Sequence, residues 1–157
     1  MNKNIFDIQI NSLSNASLNF KNATLFLNVN EFNDWKIVKN ESIASYEQTL
    51  IKIKTKNNIV LYTFVDNANI VVENNHILIN TFSNIKLMLS DKNNFKKSTF
   101  KNELKTISSQ INYLIASQNI GIKLDEVAKL NELKRRQFEI KMLLEFSLVE
   151  YEGVYNE

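Results

Sequence analysis

The sequence predicts an α+β protein: an N-terminal antiparallel β-sandwich over residues 1–90, then a C-terminal antiparallel two-helix hairpin over residues 91–157. Three observations predict it. Within 50–81, four apolar runs (Leu50–Lys54, Ile59–Val65, Ile70–Val72 and His76–Ile79) are separated by Lys56-Asn57-Asn58, Asp66-Asn67 and Glu73-Asn74-Asn75. β-Branched and aromatic residues dominate the runs, as strands require. Upstream, short alternating segments recur at regular spacing. Downstream of Asp91 the turn residues vanish and the apolar period lengthens.

Taken in order, Asn4–Ile10 places Phe6, Ile8 and Ile10 on one face and Asp7 and Gln9 on the other, a half-buried strand. Leu18 and Phe20 form a short second strand, and Lys21-Asn22 is expected to turn the chain into Ala23–Val29. There Leu25, Leu27 and Val29 alternate with Thr24, Phe26 and Asn28. Glu31–Asp34 is a loop, Trp35–Val38 a short strand and Lys39–Ser42 another loop, while Ile43–Gln48 has no clear period. The 50–81 stretch then reads as four antiparallel strands with three hairpins. Asn and Asp tolerate the left-handed conformation, so they serve here where glycine is usual.

In the helical part, Phe100, Leu104, Ile107, Ile111 and Leu114 make one stripe. Asn119-Ile120-Gly121 is a helix stop with Gly121 available as the cap, and Leu124–Glu150 is helix-compatible throughout. A short link between two helices implies an antiparallel pair.

Bulk properties narrow the function. A chain of 157 residues with 44% hydrophobic content can bury a core. Net charge of +2 argues against a dedicated nucleic-acid binder. There is no cysteine, which excludes disulfides and thiolate metal sites. The opening MNKNIFDIQI carries Asp7 inside its apolar run and is not expected to be a signal peptide, and no uncharged apolar window reaches about eighteen residues. A cytoplasmic protein is expected, with no direct membrane insertion and at most a peripheral position on the inner membrane face through its complex.

Catalytic chemistry finds little footing. His76 is the only histidine and starts a strand after a turn, which suits a structural or exposed role. Glu31 with Asp34 lies in a loop, and Asp125 with Glu126 sits at a helix start, where the macrodipole favours carboxylates. The two glycines, Gly121 and Gly153, cannot build a phosphate loop. No cofactor or metal is expected, nor an enzyme. The candidate binding residues lie on helix two. Lys134, Arg135 and Arg136 form a positive segment, read either as a solvated face or as a dock for an acidic partner. Phe138, Leu144 and Phe146, with neighbours out to Leu148 and Val149, spread around the helix beyond what one partner helix covers. Packing back onto the β part is the alternative, and burial against another protein is the expectation for them.

The β order goes further. LIKIK, Asn57-Asn58, IVLYTFV, Asp66-Asn67, NIVV, Glu73-Asn74 and HILI follow the strand-and-turn order of the epsilon subunit of F-type ATP synthases, and a hairpin follows, as it does there. FDIQI resembles that family's first strand, and Phe20-Lys21-Asn22 stands where it often has an aromatic before a small turn. The family's paired glycines are replaced by Asp66-Asn67, and its Gly- and Pro-containing loop by Lys39-Asn40-Glu41-Ser42. A preference for residues with AT-rich codons accounts for that loss, as in a divergent mollicute sequence. The nucleotide motif of some members is missing: SDKNNFKKSTF has no arginine, so nucleotide binding is not carried over. The resemblance implies a non-catalytic central-stalk subunit whose partners are a gamma-like rotor subunit and an alpha/beta-like catalytic head. It fits either a proton-translocating synthase or the rotary-ATPase-like assembly of gliding mycoplasmas. An unrelated β-domain adaptor whose hairpin pairs with another coiled coil is the alternative.

Overall fold

A computed structural model describes residues 4–14, 17–121 and 123–153. The chain divides into two compact units. Among the described residues, one unit holds those up to Ser90, joined by Val149–Gly153, and the other those within Asp91–Leu148. The architecture is a large, mostly antiparallel β-sheet unit and a two-helix pair.

The β unit contains β1 (Phe6–Asn11), β2 (Ser17–Asn28), β3 (Trp35–Ile37), β4 (Ser42–Lys54), β5 (Val60–Glu73), β6 (His76–Asn80) and β7 (Met88–Ser90). The short β8 (Leu148–Glu150) sits beside β7, and Tyr151 N–H donates to Leu87 C=O. β1 pairs with β2, β2 with β4, β4 with β5, β5 with β6, and β6 returns parallel to β1. That circuit is closed, which removes most free strand edges. Strand alternation turns Phe6, Ile8, Ile10, Phe20, Leu25, Ile51, Ile53, Leu61, Ile70, Ile77 and Ile79 into one buried core.

Two expected turns are absent. β2 runs unbroken through Lys21-Asn22, and β5 runs unbroken through Asp66-Asn67. Asn22 (φ 53°) and Asn67 (φ 46°) do adopt the left-handed conformation, but as kinks inside long strands. At Asn22 the register with β1 shifts between Phe6↔Ala23 and Ile8↔Phe20, a bulge. The Asp7 carboxylate accepts the Asn22 N–H at 3.0 Å, supplying an acceptor that the ladder no longer provides. At Asn67 the register holds, from Tyr46↔Ala68 to Gln48↔Asp66. There the Thr81 and Ser83 hydroxyl oxygens accept the Asp66 N–H, and the Thr81 hydroxyl donates back to Asp66 C=O at 2.7 Å. The real reversals are elsewhere. Asn74 and Asn75 both have positive φ between the paired Glu73 and His76, the signature of a type I′ hairpin. Residues 55–59 close the β4–β5 loop around Asn58, also at positive φ.

The unassigned Ile43–Gln48 stretch is the first half of β4, with Ala44 and Tyr46 packed inward and Ile43, Ser45 and Glu47 exposed. Small and polar residues blur its alternation, so pairing with β5 defines the strand rather than composition.

In the second unit, α1 (Lys97–Gln118) and α2 (Leu124–Phe146) pack through Ile107, Ile111, Leu114, Leu130 and Ile140, with Phe100 and Leu104 alongside, along the expected stripe. Phe95 stacks on Phe100 at 5.2 Å across the α1 N-terminus, a hydrophobic staple. Two helix ends differ from expectation. Gly121 takes no positive φ; Asn119 caps α1 in a right-handed conformation, its N–H donates to Ala116 C=O, and Ser117 C=O accepts the Ile120 and Gly121 N–H groups. α2 stops at Phe146, because Ser147 turns left-handed (φ 51°) and donates to Leu143 C=O. Leu148 and Val149 therefore belong to β8, not to the helix.

Candidate functional site

The basic run of α2 does not act as one segment. Lys134 and Arg135 are exposed, whereas Arg136 is half-buried and engaged inside the hairpin. Its Nε donates to Glu103 Oε1 at 2.8 Å and one terminal nitrogen donates to Glu103 Oε2 at 3.2 Å. The other terminal nitrogen donates to Glu139 Oε2 at 3.0 Å. This forked, charge-assisted contact ties α1 to α2. The Glu103 bond, and after it Glu139, raises the Arg136 pKa above its already high value, against the opposing effect of burial. The next residue, Gln137, donates to the Ser108 hydroxyl on α1.

The apolar end of α2 is likewise divided. Ile140, Met142 and Leu143 are buried, and Leu144 packs on the hairpin core. Phe138 and Phe146 are half-buried rather than open. The crowding read around one helix thus resolves into a packed helix end and a strand.

His76 is exposed at the head of β6. Asp125 and Glu126 occupy the first turn of α2, and Glu126 lies 3.7 Å from Lys123 and accepts from the Ser117 hydroxyl. Among the described residues, no group of three or more His, Asp or Glu side chains is placed to hold a metal ion, and no helix is long and apolar enough to cross a membrane.

The β unit carries two features that sequence reasoning missed. Phe26, Lys52, Tyr62 and Met88 stand in direct cross-strand register on β2, β4, β5 and β7. Lys52 Nζ lies 4.6 Å from the Phe26 ring centre and 4.2 Å from that of Trp35, which tilts against Tyr62. Burial lowers the Lys52 pKa and raises that of Tyr62. The signal was present: Phe26, Lys52 and Tyr62 are the outward members of alternating strands.

The second feature is a cleft of about 340 Å³ between β3 and the first half of β4. Leu27, Ile37, Ile43, Ala44, Tyr46 and Ile70 line it, and its charged lining residues are Lys36 and Lys39. Ile43 is 80% exposed. The arrangement offers apolar contact, two cations and strand backbone, which are means of recognition.

Comparison with known proteins also divides the chain into an N-terminal and a C-terminal part, with the division between residues 86 and 101. Residues 7–86 match a family model described as the UU051 N-terminal domain, and residues 101–151 one described as the C-terminal domain of the uncharacterised protein UU051. The protein of that name from Ureaplasma parvum serovar 3 is 36% identical over 156 residues, covering 96% of this chain and 91% of the relative.

Proposed function

This chain belongs to the UU051 family; from the order of its parts we propose that it is a non-catalytic, epsilon-like central-stalk subunit of a rotary F-type or F-type-like ATPase. The observation that carries the reading is the order of parts: a closed β unit followed directly by an antiparallel helical pair. Within 50–81 the strands and the reversals at residues 55–59 and 74–75 keep the resemblance and support it, while Asp66-Asn67 is a kink inside β5 and lends it nothing; the rigidity expected of a closed circuit supports it too.

In this reading the β unit grips the foot of a coiled-coil, gamma-like rotor subunit. The hairpin lies along the rotor or reaches the alpha/beta-like catalytic head. Lys134 and Arg135 supply the outward charge for acidic loops of the head, while Arg136 keeps the helices in register. Phe138, Leu144 and Phe146 shape the apolar end of the hairpin. The work is mechanical: a stiff body transmits torque and a docking element biases rotation. The complex works at the cytoplasmic face of a membrane.

The test is purification of the tagged full-length chain from its own cells at low salt, with its companions identified by mass spectrometry. A long coiled-coil subunit and nucleotide-binding subunits are expected together. A coiled coil without nucleotide-binding subunits would favour the adaptor alternative, and neither companion would sink the rotary reading.

A further inference from the structure

β4 is longer than the neighbour that covers it. β2 pairs with β4 only from Leu27↔Ile51 to Thr24↔Lys54, then stops at Asn28. Asn30 and Glu31, both at positive φ, take the chain away. Ser42–Glu47 therefore lies against β5 on one side, and among the described residues no strand pairs with its other side. In an antiparallel strand alternate residues point N–H and C=O outward, so this stretch presents a row of backbone donors and acceptors.

Exposed edges are normally kept short, charged or proline-bearing. β3 follows that pattern, with three residues and a lysine at its centre. Ser42–Glu47 does not: it has no proline, one charge (Glu47) and a largely exposed isoleucine. Beside it lies the cleft, with an apolar lining and two lysines at its sides. Neither Lys36 nor Lys39 has an ion pair among the described residues.

We propose that Ser42–Glu47 is a strand-addition site for an extended, acidic segment of a partner protein. The free edge dictates an extended occupant, because only a strand satisfies a row of backbone groups. The cleft takes its apolar side chains at alternate positions. Lys36 and Lys39 set its charge, since carboxylates are what the two unpaired cations lack. The site stands on the β unit alone and does not depend on the rotary reading.

A random peptide display library panned against the full-length chain tests this. Enriched peptides are expected to alternate apolar residues with Asp or Glu and to lack proline. On binding a synthetic copy of the best one, hydrogen exchange should slow at the outward amides of Ser42–Glu47. Lys36→Glu with Lys39→Glu, both exposed positions, should weaken that peptide at least about tenfold, roughly 1.4 kcal/mol, while the thermal midpoint stays unchanged. A lysine-bearing copy of the peptide should bind the wild-type chain as weakly. Three results would overturn the proposal: no enriched sequence, protection mapping elsewhere, or affinity indifferent to both charge changes. Concentration-dependent dimerisation through this edge would overturn it as well, by assigning the site to a second copy.

Discussion

The β unit and the helical hairpin are stabilised in different ways. In the first, core residues such as Phe20, Leu25, Ile51 and Ile79 are wholly buried, because a closed strand circuit surrounds them. In the second, Ile107, Ile111 and Leu114 form a single stripe that keeps a slight exposure, and a forked arginine contact adds to it. A closed circuit specifies its interior from all sides; a helical pair specifies one seam and relies on directional contacts to fix its register. The comparison assigns stiffness to the first unit and adjustability to the second.

The largest effects should separate the two. Phe20→Ala should cost about 3–5 kcal/mol and Ile111→Ala about 2–5 kcal/mol, because each removes buried volume that the surroundings refill only in part. Urea unfolding gives the totals, and hydrogen exchange gives the location. Phe20→Ala should raise exchange throughout the β unit, and Ile111→Ala within Asp91–Leu148. An Ile111→Ala chain that loosens β1 and β6 as much as its own helices would break the comparison.

Next comes the seam. Arg136 and Glu103 are each about one-third exposed (40% and 34%), so solvent weakens their pairing, and Arg136→Ala should cost about 1 kcal/mol. A double-mutant cycle with Glu103→Ala should show a positive coupling between them. Independent, additive losses would show that the contact does not hold the register.

A finer contrast lies within the β unit. Asn67→Ala should cost about 1 kcal/mol, since a β-carbon is disfavoured at φ 46°, whereas Asn67→Gly should be nearly neutral. Equal losses would mean that the asparagine side chain, not the backbone angle, is what the kink requires.

Smallest is an acid-limb effect at the junction. Asp91 Oδ1 accepts from the Asn93 and Asn94 backbone N–H groups and Oδ2 from the Asn94 side chain. The Asn94 side-chain bond, then its backbone N–H, holds the carboxyl below the usual range. The folded value is thus depressed, so this contribution is present above the unfolded carboxylate value and fades as pH falls through the folded one. An NMR titration should find Asp91 titrating low, and Asn94→Ala should move it back toward an ordinary aspartate.

Local periodicity made most of the strands, both helices and the hairpin stripe legible, since alternation and helical spacing are properties of neighbouring residues. The Asn22 and Asn67 kinks were misread as reversals. A left-handed asparagine is common to both, and only the strand it pairs with decides which one forms. The end of α2 was overrun because Ser147 carries no composition signal for its left-handed turn. At the candidate site, Lys134-Arg135-Arg136 read as one charge run, but Glu103 lies thirty-three residues from Arg136 and separates it from the other two. The open edge of β4 was illegible for a related reason: it exists because β2 ends early, a fact that resides in another strand.

The most direct measurement is native mass spectrometry of the complex purified through the tagged full-length chain. The account predicts one copy of this chain with one coiled-coil rotor subunit and a ring of nucleotide-binding subunits. It also predicts that this 1:1 ratio with the rotor survives Lys134→Glu with Arg135→Glu, because the β unit makes the grip. A chain that travels alone, or one bound in several copies to the nucleotide-binding ring without a rotor subunit, would contradict it.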